Sequence, residues 1–235
     1  MIRRWKQFKV SLKLLIRFKT DLLSNALFKF PAKNSSNPVF DYSISLSQEI
    51  RKNNGFENKV YNLQLASERI NQYVLEPGQI FSFFKIIGNP NSGFRKSRTL
   101  VNNTLVEEKG GGICQVSGII YHISLMAGLE ILERHNHSID IYTDETRFAP
   151  LGTDATIVYG YKDLRVRNNF SFPIKFQINV KESSIVVSLL SSELIHKRQL
   201  FFESLTDKDS TTVNVLGHDR KLLNQSRYKK LQHSL

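Results

Sequence analysis

One cysteine, no apolar stretch long enough to cross a membrane and no internal repeat are what this 235-residue chain withholds. A lone Cys114 excludes an intrachain disulfide framework, so nothing in the fold calls for an oxidising compartment. No uncharged run approaches the roughly 20 residues of a spanning helix, and no apolar core precedes a small-residue cleavage site. The expectation is therefore a protein that is cytoplasmic or peripheral at the inner membrane face. Basic stripes are missing from the middle of the chain, which argues against a nucleic-acid partner.

What is present is basic charge at the two ends. The net charge is +12. Residues 1–33 hold nine Lys/Arg against Asp21 alone, and residues 34–196 hold sixteen of each sign. Residues 197–235 hold eight basic and four acidic side chains. Within residues 1–30, Arg3, Arg4, Lys6, Lys9, Lys13, Arg17 and Lys19 interleave with Trp5, Phe8, Leu12, Leu15 and Phe18. That pattern predicts a basic amphipathic helix, which can pack on a domain or make peripheral contact with an anionic membrane surface.

The polar, proline-bearing residues 31–40 read as a linker. A short helix is expected over Tyr42–Asn54, completing a linker region of 34–57, and a clearer one over Val60–Leu75. Strand-like segments follow at Gln79–Phe84 and Thr99–Val106, flanking the loop at 88–97. After residue 128 the texture turns to β, with strands expected at Leu129–His135, Ser138–Thr143, Asp154–Tyr161, Arg165–Arg167, Phe172–Val180 and Ser184–Ser191. Crossover helices are absent between them, so the sheet should be mostly antiparallel. The fold class is α+β, a Cys-bearing helix packed on that sheet. The core domain is placed at 58–200, and residues 201–235 are expected to form a polar, poorly packed tail.

The stretch Gly110-Gly111-Gly112-Ile113-Cys114-Gln115-Val116-Ser117 organises the rest. Val116, Ile119, Ile120, Ile123, Met126 and Ala127 trace one helix face, and Gly128 stands where a helix stops. Cys114 would open that helix, where unpaired N–H groups and the helix dipole favour an anion. A thiol so placed is expected to have a depressed pKa. The N–H groups of Gly112, Ile113 and Gln115 would then hold an oxyanion. The plain alternative is that Cys114 is a small buried hydrophobe.

A nucleophilic cysteine needs a base. Glu133-Arg134-His135-Asn136-His137-Ser138 offers two histidines, which strand alternation would send to one face. Asp154, a lone acid opening an apolar segment, is the candidate to orient the histidine, with Asp163 as the alternative. His122, about two helical turns past Cys114, is expected to pack locally. The His-x-His pair with Cys114 also has zinc-type ligands. One cysteine without a second close pair argues for no metal and no cofactor.

At these residues the chain resembles the VanW family. The resemblance rests on PGQIFSF (77–83), GGGICQVS (110–117) followed by Tyr121, AGLEILERHNHS (127–138) and GTDATIVYGYKDLRVRN (152–168), all in register over about residues 58–180. The chain carries Gly118 where a hydroxyl residue is common, and Arg95-Lys96-Ser97 where many members carry a Gly-Tyr pair. Stand-alone members are associated with B-type vancomycin-resistance clusters. In larger exported members the domain is associated with L,D-transpeptidase activity on peptidoglycan, with the motif cysteine as nucleophile.

Carried over, the resemblance implies a bacterial cell-envelope role with Cys114 as the nucleophile of a transpeptidase-like acyltransferase. The partner would be a peptidoglycan stem peptide or precursor. His137 or His135 would be the base, Asp154 its orienting group, and Arg134 and Tyr121 would contact substrate. The other reading is a non-catalytic module that binds a cell-wall precursor or an envelope partner.

Overall fold

The computed structural model describes residues 2–33, 36, 38–52, 54–101, 104–140 and 149–230. Helices α1 (Ile2–Leu23), α2 (Phe56–Ile70), α3 (Phe83–Ile87) and α4 (Cys114–Ala127) alternate with strands β1 (Tyr42–Glu49), β2 (Ile80–Ser82), β3 (Lys96–Val101), β4 (Thr104–Lys109) and β5 (Glu130–Glu133). Six strands follow: β6 (Arg165–Arg167), β7 (Ile174–Val180), β8 (Ser184–Ser191), β9 (Phe201–Thr206), β10 (Ser210–Leu216) and β11 (Leu222–Lys229). They form antiparallel sheets in the orders β1-β8-β7, β2-β6-β5 and β11-β10-β9, with a β3-β4 hairpin. The α+β class and the antiparallel pairing agree with the sequence pattern.

Helix α4 runs through the centre. Val116, Ile119, Ile120, Tyr121 and Ile123 are buried, as are Ser117 and Ser124, so the helix is enclosed on nearly all sides. It packs against β1, β8 and β5, while α2 lies on β7. Its end is a Schellman arrangement. Gly128, at φ 79°, donates to Leu125, and Leu129 donates to Ser124 across 2.9 Å.

Several expectations give way. Tyr42–Asn54 is a strand over Tyr42–Glu49 rather than a helix, because Ile44, Leu46 and Gln48 alternate inward between serines and pair with β8. Thr99–Val106 is a hairpin rather than one strand, with residues 102–103 outside the described residues. Asp154–Tyr161 is irregular and closes in a turn, Val158 accepting the N–H groups of Tyr161 and Lys162. In the proposed strand Ser138–Thr143, Ile139 makes a single bridge to Lys229, and residues 141–143 lie outside the described residues. The supposed tail is the sheet β9-β10-β11, which buries Val213, Val215 and Tyr228.

The three glycines before Cys114 have distinct jobs. Gly110 and Gly112 hold φ of 81° and 93°, a region that disfavours side chains. Gly111 lies against β3, where an added Cβ would stand 2.2 Å from the Ser97 carbonyl oxygen. Buried Asn62 of α2 completes the junction, donating to the Arg95 and Gly111 carbonyls and accepting the Arg95 N–H. Gly111→Ala is thus expected to force the turn off β3 and lower stability by about 2–3 kcal/mol, read by denaturant unfolding, with Gly118→Ala as a control at a glycine outside the positive-φ region where an added Cβ meets its nearest neighbours at 3.7 Å.

Helix α1 is held to the body by ions. Arg17 donates to Glu133 through two nitrogens, at 2.8 and 2.6 Å, and Arg165 grips Asp21 at 2.5 and 3.1 Å. Burial pushes the Glu133 carboxyl up, but Arg17, the Asp163 N–H and His135 outweigh it and bring its pKa to about 2. An unfolded Glu titrates near about 4.3. Glu133 therefore contributes stability in full above that value, and the contribution drains away as pH falls towards 2. A melting-temperature profile taken from about pH 5 down to pH 2 should show the loss, and Arg17→Met should flatten it.

Candidate active site around Cys114

Cys114 enters α4 directly from the glycine turn, with Ile113 as the residue before the helix. It is partly exposed as a residue. Its sulfur is nevertheless enclosed tightly enough that burial pushes the thiol pKa up. The Ile157 N–H and the Thr156 hydroxyl pull against that shift, and the charge of Asp154 adds to it. The expectation of a depressed thiol pKa is thereby reversed. Desolvation of a single anion outweighs the helix dipole and two hydrogen bonds.

Thr156 is the link that strand logic missed. Its hydroxyl is near enough to the Cys114 thiol to pull the thiol pKa down, and it lies 2.8 Å from His137 Nδ1. With Nδ1 as acceptor, the geometry reads as a chain: thiol to hydroxyl to imidazole. Burial lowers the pKa of His137, against the pull of the Asp154 charge, so the resting pair is a neutral thiol and a neutral imidazole. No motif rule pointed to Thr156, because one threonine in an apolar segment is unremarkable as sequence.

The two histidines part company. Strand β5 shifts register near Ile131 and ends at Glu133, so residues 134–137 no longer alternate. His137 turns to Thr156, while the His135 ring lies 3.0 Å from Glu133 in the ion cluster beneath α1. Of the two, His137 is the one that reaches Thr156, the neighbour of Cys114.

Asp154 does hold His137, though through the main chain. Its Oδ2 accepts the His137 N–H at 2.6 Å, and its Oδ1 accepts from Arg134 Nη2 at 2.9 Å and from the Tyr228 hydroxyl. Arg134, expected to meet a substrate carboxylate, is 5% exposed and fully engaged. It donates to the carbonyls of Asp154 and Gly152 and to the hydroxyl of Ser226, and lies 4.8 Å above the Tyr121 ring. Tyr121 is buried under that guanidinium, and burial lifts its phenol pKa to about 12. Both residues brace the site from within.

The proposed oxyanion donors are also partly committed. The Ile113 N–H bonds the Gly110 carbonyl at 3.3 Å, and the Gln115 N–H bonds the Gly112 carbonyl at 3.0 Å. Gln115 spends its amide on the Glu49 carbonyl, fastening α4 to β1. Asp163, the alternative orienting acid, caps α3 instead. It accepts from the Ser82 hydroxyl and the Phe84 and Leu164 N–H groups. His122 is half-buried in α4, and burial, with the Lys197 charge, lowers its pKa to about 4. Among the described residues, no group of three His, Cys, Asp or Glu side chains is placed to hold a metal ion.

The family described as "VanW like protein" matches residues 58–190, and the chain belongs to it. Among curated relatives, an uncharacterized protein of Bacillus subtilis, YoaR, is 32% identical over 148 residues, which is 62% of this chain and 47% of that protein. The vancomycin B-type resistance protein VanW of Enterococcus faecalis is 30% identical over 132 residues, 55% of this chain and 48% of that one. The chain thus spans about half the length of the curated relatives it matches. No solved structure matches.

The raised thiol pKa makes a direct prediction. Iodoacetamide labelling of native protein should show a midpoint above the free-thiol value of about 8.5, and Thr156→Val should move it higher still by removing a donor to the thiolate.

Proposed function

We propose that the protein is a cell-envelope acyltransferase of the vancomycin-resistance-associated type, acting on a peptidoglycan stem peptide or precursor through Cys114. The single observation that supports it is the Thr156 hydroxyl between the Cys114 thiol and His137 Nδ1. Because both ends rest neutral, the thiolate forms only as the proton moves. Thr156 passes its own proton to Nδ1 and takes the one from sulfur, leaving a thiolate beside an imidazolium.

The thiolate then attacks a stem-peptide carbonyl carbon. The S–C bond forms, the C–N bond breaks, and the imidazolium returns its proton to the leaving amine. A second amine, or water, attacks the thioester, gives its proton to His137 and restores the thiol.

A second reading, a non-catalytic module for a cell-wall precursor or envelope partner, draws on the occupied N–H groups of Ile113 and Gln115. Intact-mass analysis after incubation with a synthetic stem tetrapeptide separates the two. Acylation should appear as a thioester adduct on Cys114, disappear in Cys114→Ala, and slow by about 100-fold in His137→Ala and Thr156→Val. Peptide binding without any adduct, together with a thiol that alkylates only after unfolding, would leave the binding module standing alone.

A further inference from the structure

Helix α1 docks on the protein by the wrong face for an ordinary amphipathic helix. At about 100° per residue, Val10, Leu14, Arg17 and Asp21 form one stripe, and that stripe meets the body. Val10 and Leu14 close on Gly160, Arg17 engages Glu133 and the Tyr161 carbonyl, and Asp21, 2% exposed, is gripped by Arg165. Roughly opposite lie Trp5, Phe8, Leu12, Leu15, Ile16, Leu22 and Leu23, each between 46% and 85% exposed. The helix therefore docks through a narrow stripe of two apolar and two ionic side chains and turns its larger apolar side outward, against the usual arrangement.

A continuous apolar stripe of this kind marks a surface that something covers. The charges around it say what. Lys9 and Lys13 run along one edge, with the Lys9 ammonium 5.5 Å from the Trp5 ring, and Lys19 falls within the stripe itself. Residues 1–33 carry a net charge of +8. A two-fold copy of the chain would set Lys19 and its neighbours against the same cations, which is repulsive at an isologous interface. Anionic headgroups neutralise them, and lysine stems lie along the acyl boundary with their ammonium groups at headgroup level. No helix among the described residues is long and apolar enough to cross a membrane.

We propose that α1 lies flat in the interface of an anionic lipid membrane. Trp5, Phe8, Leu12, Leu15 and Ile16 insert, Lys9, Lys13 and Lys19 bind headgroups, and the Arg17–Glu133 and Asp21–Arg165 pairs carry the body on the opposite side. The ion pairs make the helix a rigid mount, so the protein is held at a fixed attitude to the bilayer and does not swing on a tether.

Trp5 is the only tryptophan, so intrinsic fluorescence reports this contact alone. The full chain is titrated with vesicles of phosphatidylcholine and with vesicles of equal parts phosphatidylcholine and phosphatidylglycerol. Co-sedimentation and a blue shift of emission are expected only with the anionic vesicles, and both should weaken with salt. Lys9→Gln with Lys13→Gln should lower the binding constant by about 25-fold. Phe8→Glu with Leu12→Glu should abolish binding while circular dichroism and melting temperature stay unchanged, since both side chains are exposed. Brominated-lipid quenching of Trp5 in the unaltered protein supplies the same answer without any variant. Three results would overturn the proposal: no shift with either vesicle, equal binding to both, or a concentration-dependent dimer that shields Trp5 without lipid.

Discussion

Everything near Cys114 hangs on the pairing of Arg134 with Asp154. The Arg134 charge needs partners where it lies, almost wholly covered and stacked on the buried ring of Tyr121, and Asp154, a quarter exposed, is the first of them. Each therefore recruits further partners. Arg134 collects the carbonyls of residues 152 and 154 and the hydroxyl of Ser226, while Asp154 collects Tyr228 and the main-chain N–H of His137. The pair thus ties the end of β5, the irregular segment after Gly152 and strand β11 into one knot. The imidazole of His137 is positioned as a result, because its own backbone is one of the strands in that knot.

A site assembled in this way is held in place from several elements at once. Burial sets the thiol pKa above its ordinary value and the imidazole pKa below. That balance favours a neutral thiol beside a neutral imidazole over an ion pair. The glycine turn belongs to the same economy of space. Its three residues let β4 reverse beneath Ser97 and start α4 without a side chain between them, which brings the sulfur close to residues 156 and 157.

The fold was legible wherever periodicity was long and unmixed. Helix α4 announced itself through Ile119, Ile120 and Ile123, and β7 and β8 through their alternation. Strand β1 was misread although Ile44 and Leu46 alternate with three serines, because its polar half suggested a linker. Strands β10 and β11 were missed because Val213, Val215 and Tyr228 are few among many polar residues, and their worth lies in pairing across strands distant in sequence. In the candidate site, Cys114 and His137 are singled out by glycine flanking and motif spacing, and the structure sets both beside Thr156. The separation of His135 from His137 depends on a register shift in β5, and the role of Thr156 depends on a segment that is not a strand at all. Arg134 looked like a substrate hook because sequence shows a cation but not its five occupied neighbours.

The matched family segment stops at residue 190, yet Ser226 and Tyr228 lie in β11. The smallest piece of chain that carries the signature is therefore smaller than the piece that carries the site. A polypeptide ending at residue 190 would keep Cys114, Thr156 and His137 and lose two of the hydroxyls that hold Arg134 and Asp154 in place.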